Sequence, residues 1–232
     1  MTEILQPYSV SEFNKIPDLH EGTTAFHAKD GMKFVNEVFG PLVLKHGLEA
    51  QLGITILHRH FDLKDPEKLV EFNNISLPWK NQDKDDSHSG GKILPNAWLL
   101  NNGKLMPYEF FFSPFNQEKS VDLTQDKVRA FLGEFVQAAK YSSLDGIVAL
   151  KMFPGPGFRG GLEFSEGRAN IVLKPGQYKL ENSQAAEVTW YFERGWREQK
   201  DYCHCTKYFK DHFHTVEQCY PGEEAGRPAS LK

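Results

Sequence analysis

The chain has 232 residues, 40% of them hydrophobic and 25% charged, with a formal net charge of -4 and a pI near 6.1. That length and balance fit one globular domain whose core needs no disulfide framework. They exclude the overall basic field with which a nucleic-acid binder gathers phosphates, and the 27 Lys and Arg are spread along the chain rather than gathered in a run.

The opening residues, MTEILQPYSVSEF, lack the basic segment and apolar core of a secretory signal, and no apolar run is long enough to span a bilayer. The expectation is therefore a cytoplasmic protein with no membrane partner and no nucleic-acid partner, acting on a small-molecule substrate. Residues 30 to 39, DGMKFVNEVF, place Met32, Val35, Val38 and Phe39 at helical spacing, and Gly40-Pro41 stops or restarts the helix, with a broken continuation to about His46. From Gln51 to Phe61 the period changes to two, which predicts a strand with Leu52, Ile54, Ile56, His58 and His60 on one face.

Residues 80 to 92, KNQDKDDSHSGGK, are polar and aperiodic and read as a surface loop. A hairpin follows: AWLL, the turn formers Asn101-Asn102-Gly103, then KLMPYEFFF. The clearest helix covers residues 125 to 141, with Val128, Phe131, Leu132, Phe135, Val136 and Ala139 in one apolar stripe and Thr124 or Asp122 available as a cap. Further strands are predicted at 146 to 153, 170 to 174 and 187 to 192. Aromatic residues make up 13% of the chain and cluster in runs such as YEFFF and WYF, which suits strands lining an apolar core or pocket.

These elements predict an α+β fold: a single domain over residues 1 to 220, a mainly antiparallel twisted sheet packed by one long and one short helix, and a frayed tail from 221 to 232. No glycine-rich turn matches a dinucleotide or phosphate-loop fingerprint.

Three groups of residues could carry chemistry. His58 and His60, two apart on a strand, could reach one zinc or iron ion, or could be hydrogen-bonded histidines at the rim of the core. Glu109, flanked by Tyr108 and Phe110, is either on a wet face or in an apolar pocket that suits it for acid or base work. The densest cluster, YCHCTKYFKDHFHTVEQC, offers Cys203, Cys205, His212 and His214 as metal ligands, Cys203 or Cys205 as a nucleophile beside a histidine, or a buried thiol pair with surface histidines.

Arg59 and Arg159 are the arginines that could hold an anionic cofactor group, Arg159 from the loop PGPGFRGG. Glu163 and Glu166, three apart across a predicted turn, read as a solvated edge. The segments LHRHFDL, EKLVEF and MPYEFFF resemble a group of uncharacterised fungal proteins with HRHF and PYEF segments, a resemblance that implies an intracellular fungal protein and brings no activity or cofactor with it.

The preferred reading is an enzyme carrying out metal-assisted hydrolysis or elimination in an aromatic-lined pocket, with His58 and His60 on the metal and a third ligand from His212, His214 or Glu109. Glu109 is the base if it is not the ligand. The alternatives are a metal-free enzyme using a His or Cys-His base or nucleophile, and a non-catalytic binding protein with a structural zinc.

Overall fold

The computed structural model describes residues 4–80, 90–114, 120–156, 158, 161–174, 177, 187–192, 203–209 and 213–219, the last two stretches as backbone. The chain opens with helices: α1 (Val10–Phe13), α2 (Leu19–Ala28), α3 (Gly31–Phe34), a π turn over Val35–Phe39, and α4 (Gly40–Lys45). A capping box starts α2, in which Asp18 accepts from the Glu21 amide and Glu21 accepts from the Asp18 amide. The restart predicted at Gly40-Pro41 is real, because proline is tolerated at the first positions of a helix.

The strands are β1 (Leu52–Ile56), β2 (Glu67–Phe72), β3 (Ile75–Lys80), β4 (Gly91–Asn101), β5 (Lys104–Pro114), β6 (Val148–Met152), β7 (Leu162–Glu166), β8 (Ala169–Leu173), β9 (Thr189–Tyr191), β10 (Cys203–Phe209) and β11 (Phe213–Cys219). Nine of them form a curled sheet in the order β9-β1-β6-β4-β5-β2-β3-β8-β7. The β10–β11 hairpin joins its two edges, β10 to β9 and β11 to β7, and closes a barrel. The α+β class holds, but the sheet is mixed rather than antiparallel, since β2 runs parallel to β5.

The predicted hairpin is the β4–β5 pair, turning through Asn102 and Gly103 with φ of 51° and 72°, the left-handed pair that a tight hairpin requires. Helix α5 (Asp126–Tyr141) buries all six stripe residues. Its N-cap is Gln125 without a side-chain bond, while Asp122 accepts from Thr124 instead, so the predicted cap is not the one used. Among the described residues no helix is long and apolar enough to cross a membrane.

Alternation along the strands sorts the residues between two surfaces. Leu52, Ile54 and Ile56 of β1, Trp98 and Leu100 of β4, Val148 and Leu150 of β6 and Trp190 of β9 join the helices α2 to α5 in one apolar cluster on the outer side of the wall. The alternate positions face the lumen. One end of that lumen is plugged by Phe13 and Ile16, at and just beyond the end of α1, packed with Leu57, Leu99, Met106 and Ala149.

The next row along the wall is Gly53, Lys151, Ala97, Glu109 and Leu69, each opposite its neighbour in the register. Here two small residues make room for large ones. A Cβ on Gly53 would lie 2.3 Å from the Tyr191 ring and 2.6 Å from the Trp190 carbonyl oxygen. Because the second obstacle is backbone, Gly53→Ala is expected to cost about 1–3 kcal/mol. Gly133→Ala, in the interior of α5 with nothing within 4 Å, is expected to stabilise by roughly 0.5–1 kcal/mol. Urea unfolding midpoints of the two variants check both signs.

Candidate functional site in the barrel lumen

The period-two run through His60 predicted one continuous strand, but β1 ends at Ile56. Beyond it the Leu57 amide bonds to Ile147, the His58 Nδ1 meets the Ile56 carbonyl at 2.8 Å, and the Arg59 amide bonds to Pro17. The Leu57 bond continues the β1–β6 register by one residue, and from His58 onward the partners lie off the ladder. The two histidines are nevertheless together, with ring centroids 5.0 Å apart.

His60 reaches the far wall. Its Nδ1 lies 3.0 Å from the Ser165 hydroxyl of β7, and its Nε2 lies 3.5 Å from Glu163 Oε1, longer than a full hydrogen bond. Glu163 in turn accepts from the Asn170 amide of β8. Ser165 stands directly opposite Asn170 in the β7–β8 register, so Glu163, Ser165 and Asn170 share one face of this strand pair, the face that His60 meets. Far from being a solvated edge, Glu163 retains only 13% of its side-chain exposure, whereas Glu166 is exposed beside the turn.

On the near wall Lys151 of β6 and Glu109 of β5 flank Ala97 of β4, whose methyl group is short enough for the ammonium and carboxylate to meet over it at 2.8 Å. Two bulges frame this pair. Asn96 is the extra residue on β4 and Tyr108 the extra residue on β5, either side of the Ala97–Glu109 match. Asn96 donates to Glu71 of β2 at 3.2 Å, and its own carbonyl oxygen, though buried, has no partner among the described residues. Tyr191 completes the layer above Gly53, with Phe153 and Phe158 edge-on to its ring at 5.4 and 5.5 Å. Although it is walled in by the barrel, Lys151 keeps 25% of its side-chain surface and Glu109 keeps 14%, so the layer borders open space.

Burial sets the charge states. Both histidines are driven toward the neutral form by desolvation, His58 down to about 3 with the neighbouring His60 adding to the effect. Burial raises the Glu71 carboxyl to about 7. Glu163 goes the other way: burial opposes its charge, but His60, Lys151 and the Asn170 hydrogen bond together hold it below the usual carboxylate range. For Lys151, burial is likewise overcome by Glu109 and Glu163, and its pKa rises well above the ordinary value.

The remaining candidates from the sequence fall elsewhere. Arg59 pairs with Asp62 at 3.1 Å. Arg159 and His212 lie outside the described residues, as do the predicted tail and residues 81–89 of the predicted 80–92 loop, whose ends Lys80 and Gly91–Lys92 belong to β3 and β4 instead. In the β10–β11 register Cys203 and Cys205 stand opposite Cys219 and Glu217, while His214 stands opposite Tyr208 on the alternate set of positions and opposite Glu163 of β7. Among the described residues no group of three His, Cys, Asp or Glu is arranged to hold a metal ion.

A hollow of about 300 Å³ beside α4 and α5 is lined by the Lys45–Glu134 ion pair, Glu37 and apolar side chains. Sequence reasoning missed Lys151, Glu163, Ser165 and Glu71 as site residues. For Lys151 a signal existed, a single charge inside the apolar strand GIVALKMF.

Comparison with protein-family models, curated proteins and solved structures returns no match, so the geometry of the lumen carries the argument.

Removing one partner of the ion pair leaves the other charge enclosed. Lys151→Met is expected to destabilise by about 3 kcal/mol, and the double change Lys151→Met with Glu109→Leu to recover most of that loss. Chemical denaturation of the two single variants and the double variant closes the cycle.

Stability should also respond to pH in two opposed ways. His58 and His60 bind fewer protons folded than unfolded, so their contribution is present above about pH 6.5 and is lost on acidification, for His58 as pH falls toward 3. Glu71, raised from 4.5 to about 7, contributes fully below pH 4.5 and loses that contribution as pH rises through 7. Unfolding measured across the pH range should show Glu71→Gln gaining on the wild type above about pH 7, and His58→Gln flattening the acid limb.

Proposed function

We propose that the barrel lumen is a metal-free acid–base site that hydrolyses a small carbonyl compound. His60 is the general base, Glu163 stabilises the imidazolium that forms, and Lys151 offers its ammonium to the oxygen on which negative charge develops. The observation that carries this reading is the position of His60 between Ser165 and Glu163, with a ring nitrogen turned to each.

An imidazole kept neutral by burial is free to accept a proton, and the ionised carboxylate beside it offsets part of the desolvation cost of the imidazolium, as a general base requires. The same contacts speak against His-x-His chelation, because both ring nitrogens of His60 already face protein groups and the Nδ1 of His58 meets a backbone carbonyl. Tyr108, Tyr191, Phe153 and Phe158 supply the aromatic surroundings suited to a small organic substrate.

The test is hydrolysis of a panel of small p-nitrophenyl esters by the wild type and by His60→Gln, with and without a chelator. The expected result is a fall in kcat/KM of roughly 10²–10⁴ in the variant, no effect of the chelator, and a rate that drops on acidification as His60 takes up a proton. A chelator-sensitive rate, or a His60→Gln protein within a few-fold of the wild type, would refute the assignment.

A further inference from the structure

We infer that Ser165 is the nucleophile of this site, so that hydrolysis proceeds through an acyl-serine intermediate and the substrate class is a small ester or similarly activated acyl compound. The inference rests on the His60 base proposed above and goes beyond it, since that base could equally act on water.

Three groups stand in series. Ser165 Oγ is 3.0 Å from His60 Nδ1, and His60 Nε2 faces Glu163 Oε1 at 3.5 Å. Assigning the ring proton to Nε2, the nitrogen that faces the carboxylate, leaves Nδ1 as the acceptor, and the serine hydroxyl then donates to it. The other acceptor near that hydroxyl, Asn170 Oδ1, is at 3.5 Å, so the histidine is the better partner.

Asn170 also fixes the third group, donating to Glu163 Oε1 from the opposite strand. A nucleophile, a base and an orienting acid, each held by a different contact, meet the geometric condition for an activated serine.

In the first step the Ser165 oxygen forms a bond to the carbonyl carbon while its proton passes to His60 Nδ1. Collapse of the tetrahedral intermediate breaks the bond to the leaving alcohol, which takes that proton from His60. Water then loses a proton to His60 as its oxygen attacks the acyl carbon. The acid is released and Ser165 regains its hydrogen.

The experiment treats the native protein with a fluorophosphonate, which bonds to an activated serine oxygen with loss of fluoride, and locates the adduct by peptide mass spectrometry. The expected result is a single adduct on Ser165 that forms at least 100-fold more slowly in His60→Gln, with p-nitrophenyl acetate hydrolysis lost in both Ser165→Ala and His60→Gln. Ser165→Cys, which keeps the shape of the side chain, should react with iodoacetamide faster than Ser165→Cys combined with His60→Gln.

No adduct on Ser165 in the native protein overturns the inference. If hydrolysis then survives in Ser165→Ala but fails in His60→Gln, the base stands and the nucleophile is water. If it survives in both, the base falls as well.

Discussion

The meeting of Lys151 and Glu109 above the methyl group of Ala97 is the constraint on which the lumen depends. An ammonium and a carboxylate inside a barrel each lose most of their hydration, and neither would be tolerated in charged form without the other. Their pairing lets the wall present polar chemistry on its inner side while its outer side is Leu, Ile, Val and Trp packed on helices. The lumen is therefore layered. Apolar residues and α1 plug one end, the ion pair and its neighbours form the next layer, and the histidines cross that layer to the opposite wall.

What holds the histidines there is the loop after β1, and that loop is tied at several points. Asn14 and Leu63 exchange two hydrogen bonds, side chain to backbone in each direction. Arg168, from the β7–β8 turn, bonds to the Asp62 carbonyl and pairs with the buried Glu67 carboxylate, which lowers the Glu67 pKa to about 2. The turn that carries Arg168 also connects the strands bearing Ser165 and Asn170. One arginine thus couples the loop that delivers His60 to the hairpin that receives it, so the separation of base and partner is set by covalent and ionic ties rather than by the flexibility of either segment.

Local elements were legible where a local signal specifies them. The α5 stripe is a 3.6-residue pattern that every one of its six members obeys, and Asn102-Gly103 satisfies a backbone requirement that few other pairs can meet. The end of β1 was not legible, because the alternation through His60 persists after the hydrogen bonds that define the strand have gone elsewhere. β7 was hidden for a related reason: Glu163 and Ser165 look like polar edge residues until a second wall faces them. Glu109 could be singled out because aromatic neighbours made its carboxylate conspicuous, and Lys151 as a lone charge in an apolar strand, but their pairing could not be read, since they are 42 residues apart and the β6–β4–β5 order that joins them is a long-range fact. The parallel pairing of β2 with β5 has no local sign at all.

The contact between His60 and Ser165 spans 105 positions of the chain, and the wall between them is completed by β1 pairing with β9 across a still longer separation. Contacts of this kind form late, because the entropy of closing a long loop must be overcome before they contribute anything. The central β4–β5 hairpin and the α5 helix can form early, but neither contains any part of the His60 relay. A chain caught with its barrel open would have native-like secondary structure and no organised proton path. Recovery of hydrolytic activity during refolding would therefore mark the moment at which the last strands close.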